Sequence, residues 1–150
     1  MEALIDLWSG LIQESGYRLT GPRRVIIEIM AKSERALGPQ DVYDIGRGEH
    51  VGMGLVTVYR TLEKLEELGL IQRVHHPDGC HRYLRSGIGH QHILLCVNCG
   101  HSVFFKGDDL GALFLGVSDS SGYEIRDHWL QLFGLCPACK GEGVTIVSED

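Results

Sequence analysis

The chain has 150 residues, is 43% hydrophobic and 23% charged, and carries a formal net charge of −6. That length supports one domain or two small ones, no run approaches the roughly 18 apolar residues of a membrane span, and the negative balance argues against indiscriminate nucleic-acid binding. The charge is uneven: residues 1–85 carry 11 Lys/Arg against 12 Asp/Glu, whereas residues 86–150 carry 3 against 8, so only the first part can hold a local basic face.

In chain order, Leu4, Leu7, Trp8, Leu11 and Ile12 form a helical stripe that Gly16 ends. Thr20 is a candidate N-cap with Pro22 in the first turn, and Val25, Ile26, Ile29 and Met30 mark the buried side of the helix that follows. Pro39 opens a short third helix carrying Val42, Tyr43 and Ile45. After Gly52 and Gly54, the spacing of Val58, Leu62, Leu65 and Leu68 predicts a fourth helix over Leu55 to Leu68, with Gly69 as its C-cap. Ile71 to His76 and His81 to Leu84 read as short strands around the turn Pro77-Asp78-Gly79. Helices followed by a two-stranded hairpin describe a winged helix-turn-helix.

The outer face of the fourth helix, near its N-terminus, holds Thr57, Tyr59, Arg60, Thr61 and Lys64. Arginine can fork to guanine or phosphate, and hydroxyls can bond phosphate, so this mixture suits a recognition helix, although a merely solvated face has the same composition. Arg18, Arg23 and Arg24 cluster where the second helix begins and would meet phosphate or the minor groove.

The strongest chemical signal is a pair of Cys-x-x-Cys turns, Cys96/Cys99 and Cys136/Cys139, each after a strand-like apolar run. Four thiolates brought together make the closed tetrahedral site of structural zinc. Disulfides and a redox dithiol are the alternatives; a cytoplasmic protein, the expectation here, keeps its thiols reduced, and redox motifs usually come singly. His90 and His92 alternate along a predicted strand, and His128 lies in a second strand candidate, Tyr123 to Leu132. Three imidazoles and a carboxylate, with Asp109 or its neighbour Asp108 nearest, would hold zinc or ferrous iron. Cys80 and His81, with His75 and His76 across the turn, form a speculative further ligand group in the wing.

Taken together, Tyr17-Arg-Leu-Thr-Gly-Pro-Arg23, Gly54-Leu-Val-Thr-Val-Tyr-Arg-Thr-Leu-Glu-Lys-Leu65, His90-Gln-His92 ahead of Cys96-x-x-Cys99-Gly100, and His128 eight residues before Cys136-x-x-Cys139 resemble the ferric uptake regulator family of bacterial metal-sensing repressors, its zinc-uptake branch before its iron branch. The resemblance covers roughly residues 3–140. It implies an α+β protein: an N-terminal winged helix-turn-helix domain over 1–85, a hinge at 86–89, a small α/β dimerisation domain with a four-cysteine structural zinc site over 90–140, and a tail at 141–150.

By the same resemblance, Cys96, Cys99, Cys136 and Cys139 match structural zinc ligands, and His90, His92 and His128 match ligands of a second divalent metal, zinc before iron. Tyr59 and Arg60 match residues that face DNA, Arg18 one that reaches the minor groove, and Arg23 one that faces phosphate. The implied protein is no enzyme but a homodimeric repressor that binds a palindromic operator in double-stranded DNA when loaded with metal, and that has no membrane partner. An iron- or peroxide-responsive regulator is the alternative, and a zinc enzyme or thiol oxidoreductase the different-class one. The chain departs from the family pattern at Gln91, Ile93, Ala36 and Leu84 or Ser86, where ligands of an interdomain metal often stand, and at Gly111, which replaces a usual glutamate.

Overall fold

The computed structural model describes residues 1–107 and 110–141. Four helices come first: α1 (Glu2–Glu14), α2 (Gly21–Lys32), α3 (Pro39–Glu49) and α4 (Leu55–Glu67). Their apolar stripes meet in one core in which Ile12, Ile26, Ile27, Met30, Val42, Val58, Leu62 and Leu65 are all fully buried. Pro22 and Pro39 sit in the first turns of α2 and α3, where a missing N–H costs nothing. The antiparallel hairpin β1 (Ile71–His75) and β2 (His81–Arg85) follows, Ile71 opposite Arg85 and His75 opposite His81. Four helices and a wing stand where the periodicity placed them, within a residue or two at each end.

The second part is a three-stranded sheet in the order β4-β3-β5, with β3 (His92–Cys96) antiparallel to β4 (Ser102–Phe105) and parallel to β5 (Gln131–Gly134). α5 (Gly111–Ser121) lies between β4 and β5 in the chain and ends at Gly122 in the left-handed region. The fold is α+β, as expected, but two expectations fail in detail. Tyr123 to Leu130 is irregular, so His128 lies in a loop just before β5 rather than on a strand. His90 precedes β3, which starts at His92. The aromatic and β-branched content of 123–132 mimics a strand, but β3 extends only from His92 to Cys96 and pairs β5 from Ile93 to Cys96.

The two parts close on each other through an apolar seam. Ala36, Val74, Leu84, Ile93 and Leu95 pack together with Phe104 against them. Around it, the Ala36 N–H donates to Gly100 O (2.8 Å), the Ser102 N–H to Glu34 O (3.2 Å), and Leu37 and Tyr83 exchange both backbone bonds. Gly100 fits this place because its φ is +75° and a Cβ would stand 3.0 Å from Ala36 O. The opposite face of the sheet and the helix is uncovered: α5 buries no residue, and Leu94, Val103, Leu113, Leu115, Val117, Leu132 and Phe133 are exposed. Among the described residues no helix is long and apolar enough to cross a membrane.

Candidate metal centres and nucleic-acid face

Two turns bring the four predicted cysteines together. Cys96 ends β3 and leads into a knuckle closed by Gly100 N–H to Cys96 O (3.0 Å); Cys136 opens a second one, closed by Cys139 N–H and Lys140 N–H to Cys136 O (2.9 and 3.0 Å). The four sulfurs lie within 4.8 Å of one another, none in a disulfide. Backbone and side-chain amides point at sulfur: Cys136 N–H donates to Cys96 Sγ (3.3 Å) and Asn98 Nδ2 to Cys139 Sγ (3.3 Å).

Such donors favour thiolate. Burial pushes the Cys96 thiol up, but N–H groups of Cys136, Cys99 and Asn98 outweigh it and bring it down to about 6. At Cys139 the Asn98 amide acts downward, but hydrogen bonding from Cys136, burial and the remaining cysteines push the thiol up to about 12. Four thiols this close would repel one another as thiolates, and a dication held by all four would relieve that repulsion. Pairing and burial fit a closed structural site and leave no open position for hydrolytic chemistry.

The histidines form the second cluster. His90, His92 and His128 offer nitrogens within 4.8 Å of one another, and Nε2 of His90 and His128 are 2.9 Å apart. His92 is buried, at 1% exposure, and its Nε2 has no hydrogen-bond partner. An orphaned buried nitrogen costs free energy unless something accepts it, and its place beside two further imidazoles fits a metal ion. Burial first, then the charges of His90 and His128, hold its pKa below the usual imidazole value, which keeps it neutral and ligand-competent. The rings of Phe105 and Phe114 pack tilted against His92 (5.4 Å between centroids) and His128 (4.5 Å). Gly107 leaves no room for a side chain: a Cβ there would lie 2.6 Å from His92 Cδ2.

The expected carboxylate, Asp109, lies outside the described residues. Glu124 and Asp127 do line an open cavity of about 600 Å³ with His90 and His128. Glu124 is ion-paired to Arg126 (3.3 Å), and Asp127 caps the His128 N–H (2.8 Å).

The wing group does not assemble: among the described residues Cys80 and His81 belong to neither potential ligand set. Cys80 is exposed, its N–H held by Asp78 Oδ1 (2.9 Å), and His76 is engaged by Asp78 (2.9 Å) and Val97 O (3.2 Å). The polar groups of the tight turn are taken up by one another and by Val97 O. The seam likewise contains three of the positions where the family often has ligands: Ala36, Leu84 and Ile93 are buried against one another's neighbours as hydrocarbon.

On α4, Tyr59 and Arg60 are exposed and Thr57 half-buried, one turn from the N-terminus. Thr61 is corrected: it is fully buried, its hydroxyl donating to Thr57 O (2.7 Å). Lys64 is tied to Glu67 (3.1 Å). Arg18 is exposed, while Arg23 stacks over the Tyr17 ring at 4.0 Å and donates to the Arg18 carbonyl, so it holds the loop that presents Arg18. α5, Gly107, Phe105 and Phe114 belong to the site or its surroundings without a sequence signal that marks them. The last two sit in apolar runs whose partners only the fold reveals.

A winged helix joined to a sheet that carries one four-thiol and one three-imidazole cluster defines a metal-responsive DNA-binding protein. Residues 14–133 match the ferric uptake regulator family, and the chain belongs to that family, whose members are metal-dependent transcription regulators and not enzymes. It is 37% identical over 134 residues to the ferric uptake regulation protein of Neisseria gonorrhoeae, covering 88% of this chain and 92% of that one. Its fold is similar to a zinc-bound manganese uptake regulator (TM-score 0.68, 28% identity, 89% of this chain and 98% of the other). It is also similar to a zinc uptake regulator complexed with zinc and DNA (TM-score 0.65, 20% identity, 94% and 95%), a likeness of fold alone.

Proposed function

We propose that this protein is a cytoplasmic homodimeric repressor whose grip on a palindromic operator depends on a divalent metal held by His90, His92 and His128. The observation that carries it is the buried, unpartnered His92 Nε2 beside two other imidazoles. In this reading Cys96, Cys99, Cys136 and Cys139 hold a structural zinc ion permanently, and bound metal at the histidines supplies a Lewis acid that ties side chains together without doing chemistry. His128 comes from a loop and His92 from a strand, so joining them fixes the loop against β3 and favours one arrangement of the two parts. Tyr59 and Arg60, with Thr57 behind them, enter the major groove, and Arg18, held by Arg23, meets the backbone or minor groove. The exposed apolar face of β3, β4, β5 and α5 supports a second copy as its cover.

Zinc is the favoured effector, because a site dominated by imidazole suits it. Iron is the second reading, favoured by the ferric uptake regulation proteins among the relatives. The test is a titration of duplex DNA, enriched by the protein from a random library, against protein that keeps its cysteine-bound zinc. Zinc, ferrous, manganous and nickel ions are added separately. Zinc is expected to raise affinity at the lowest free concentration; equal binding with and without every ion would sink the proposal.

A further inference from the structure

The loop that carries His128 does something else three residues later. Gln131, first residue of β5, reaches across to the wing and pairs with the backbone of His75, the last residue of β1. His75 N–H donates to Gln131 Oε1 (3.1 Å), and Gln131 Nε2 donates to His75 O (2.8 Å). A primary amide used this way copies a backbone peptide and extends the wing's free edge by one rung. Trp129, between the two residues, sets its ring edge-on to the His75 ring at 5.5 Å and 72°. On its other side Gln131 is in parallel register with Ile93, which belongs to the seam and follows His92 directly.

The structure assigns Gln131, with Trp129 beside it, as the clasp that couples the three-histidine cluster to the wing. This rests on the regulatory reading of that cluster given above. Three residues of chain, about 10 Å when extended, separate a candidate metal ligand from two hydrogen bonds to the DNA-binding part. A shift of His128 on joining His90 and His92 is therefore passed to β1 through a side chain specific for the docked position. Gln131 is a positioning residue: it touches neither metal nor DNA. A backbone target explains why sequence alone hides it, since any residue but proline at position 75 offers the same N–H and C=O.

The test compares full-length wild type with Gln131→Ala and Gln131→Glu, each verified to keep one cysteine-bound zinc per chain. The glutamate keeps size and can still accept from His75 N–H, but it cannot donate to His75 O. DNA affinity is measured with and without added Zn²⁺, and Zn²⁺ affinity of the histidine cluster is measured without DNA. Expected is a Zn²⁺-driven gain in DNA affinity reduced at least about threefold in both variants, with little change in metal-free DNA binding, because a broken coupling lowers the linkage and not the sites themselves. A loss equal with and without Zn²⁺, or no loss, overturns the clasp. If wild type itself shows no Zn²⁺ gain, the regulatory reading fails first. The clasp is then decided by amide exchange at His75 in Zn²⁺-loaded protein, which Gln131→Ala must accelerate at least about tenfold; unchanged exchange overturns it.

Discussion

The two ligand clusters lie on one small sheet and are built to opposite specifications. The cysteines come from two knuckles whose backbones are locked by their own hydrogen bonds, with two of the four thiols buried and amides aimed at sulfur. The histidines come from the lead-in to a strand, the strand itself and an irregular loop, and two of the three reach solvent. The first arrangement suits an ion that never leaves and the second one that exchanges. Ligand softness and backbone order act in the same direction here, since a frame locked by its own hydrogen bonds holds its ligands in place.

That contrast can be broken most severely at the cysteines. Cys136→Ser is expected to remove one zinc ion per chain and unfold the β3–β5 region, because structural zinc binding is worth about 10–16 kcal/mol in small domains. Metal analysis and circular dichroism check this, and a folded, zinc-free variant would refute it. Next in size, His128→Ala is expected to abolish the metal-dependent part of DNA binding, a factor of about 5–150 for typical coupling, while keeping the cysteine-bound zinc and the melting temperature. A variant with the same metal response as wild type would place the exchangeable site elsewhere.

Gly107→Ala is gentler. Its methyl would meet the His92 ring at 2.6 Å, and overpacking of this kind costs about 1–3 kcal/mol. Metal affinity at the histidines should fall while cysteine-bound zinc is unchanged, as isothermal titration would show. The smallest effect is in pH. The folded-state pKa of His92 lies below its unfolded value because of burial and its histidine neighbours. Its neutral form therefore stabilises the metal-free fold above about pH 6.5, and that contribution is lost as pH falls toward the folded pKa. Denaturant melts from pH 7.5 to 5 should show a slope that His92→Gln flattens; an identical slope in the variant would assign the dependence to another group.

The helical part was legible because its apolar residues repeat at 3.6 and its Pro and Gly sit at the ends. The cysteine cluster was legible because spacing fixes both knuckles. The rest was hidden for physical reasons. α5 has no polar-apolar division, since its Leu113, Leu115 and Val117 face outward in the lone chain. Thr61 reads as a contact residue, but its hydroxyl can bond the carbonyl four residues earlier and disappear into the core. His128 looked strand-borne because aromatic content does not say where pairing starts. Gln131 and His75 are 56 positions apart, and no local pattern joins them.

The seam of Ala36, Val74, Leu84, Ile93 and Leu95 has one more consequence. Hydrocarbon contact, unlike ion coordination, draws its strength near room temperature from the entropy of water and weakens as water is chilled. The apolar share of what holds the two parts of this chain together is therefore expected to shrink on cooling, leaving the backbone bonds around the seam to carry more of the closure.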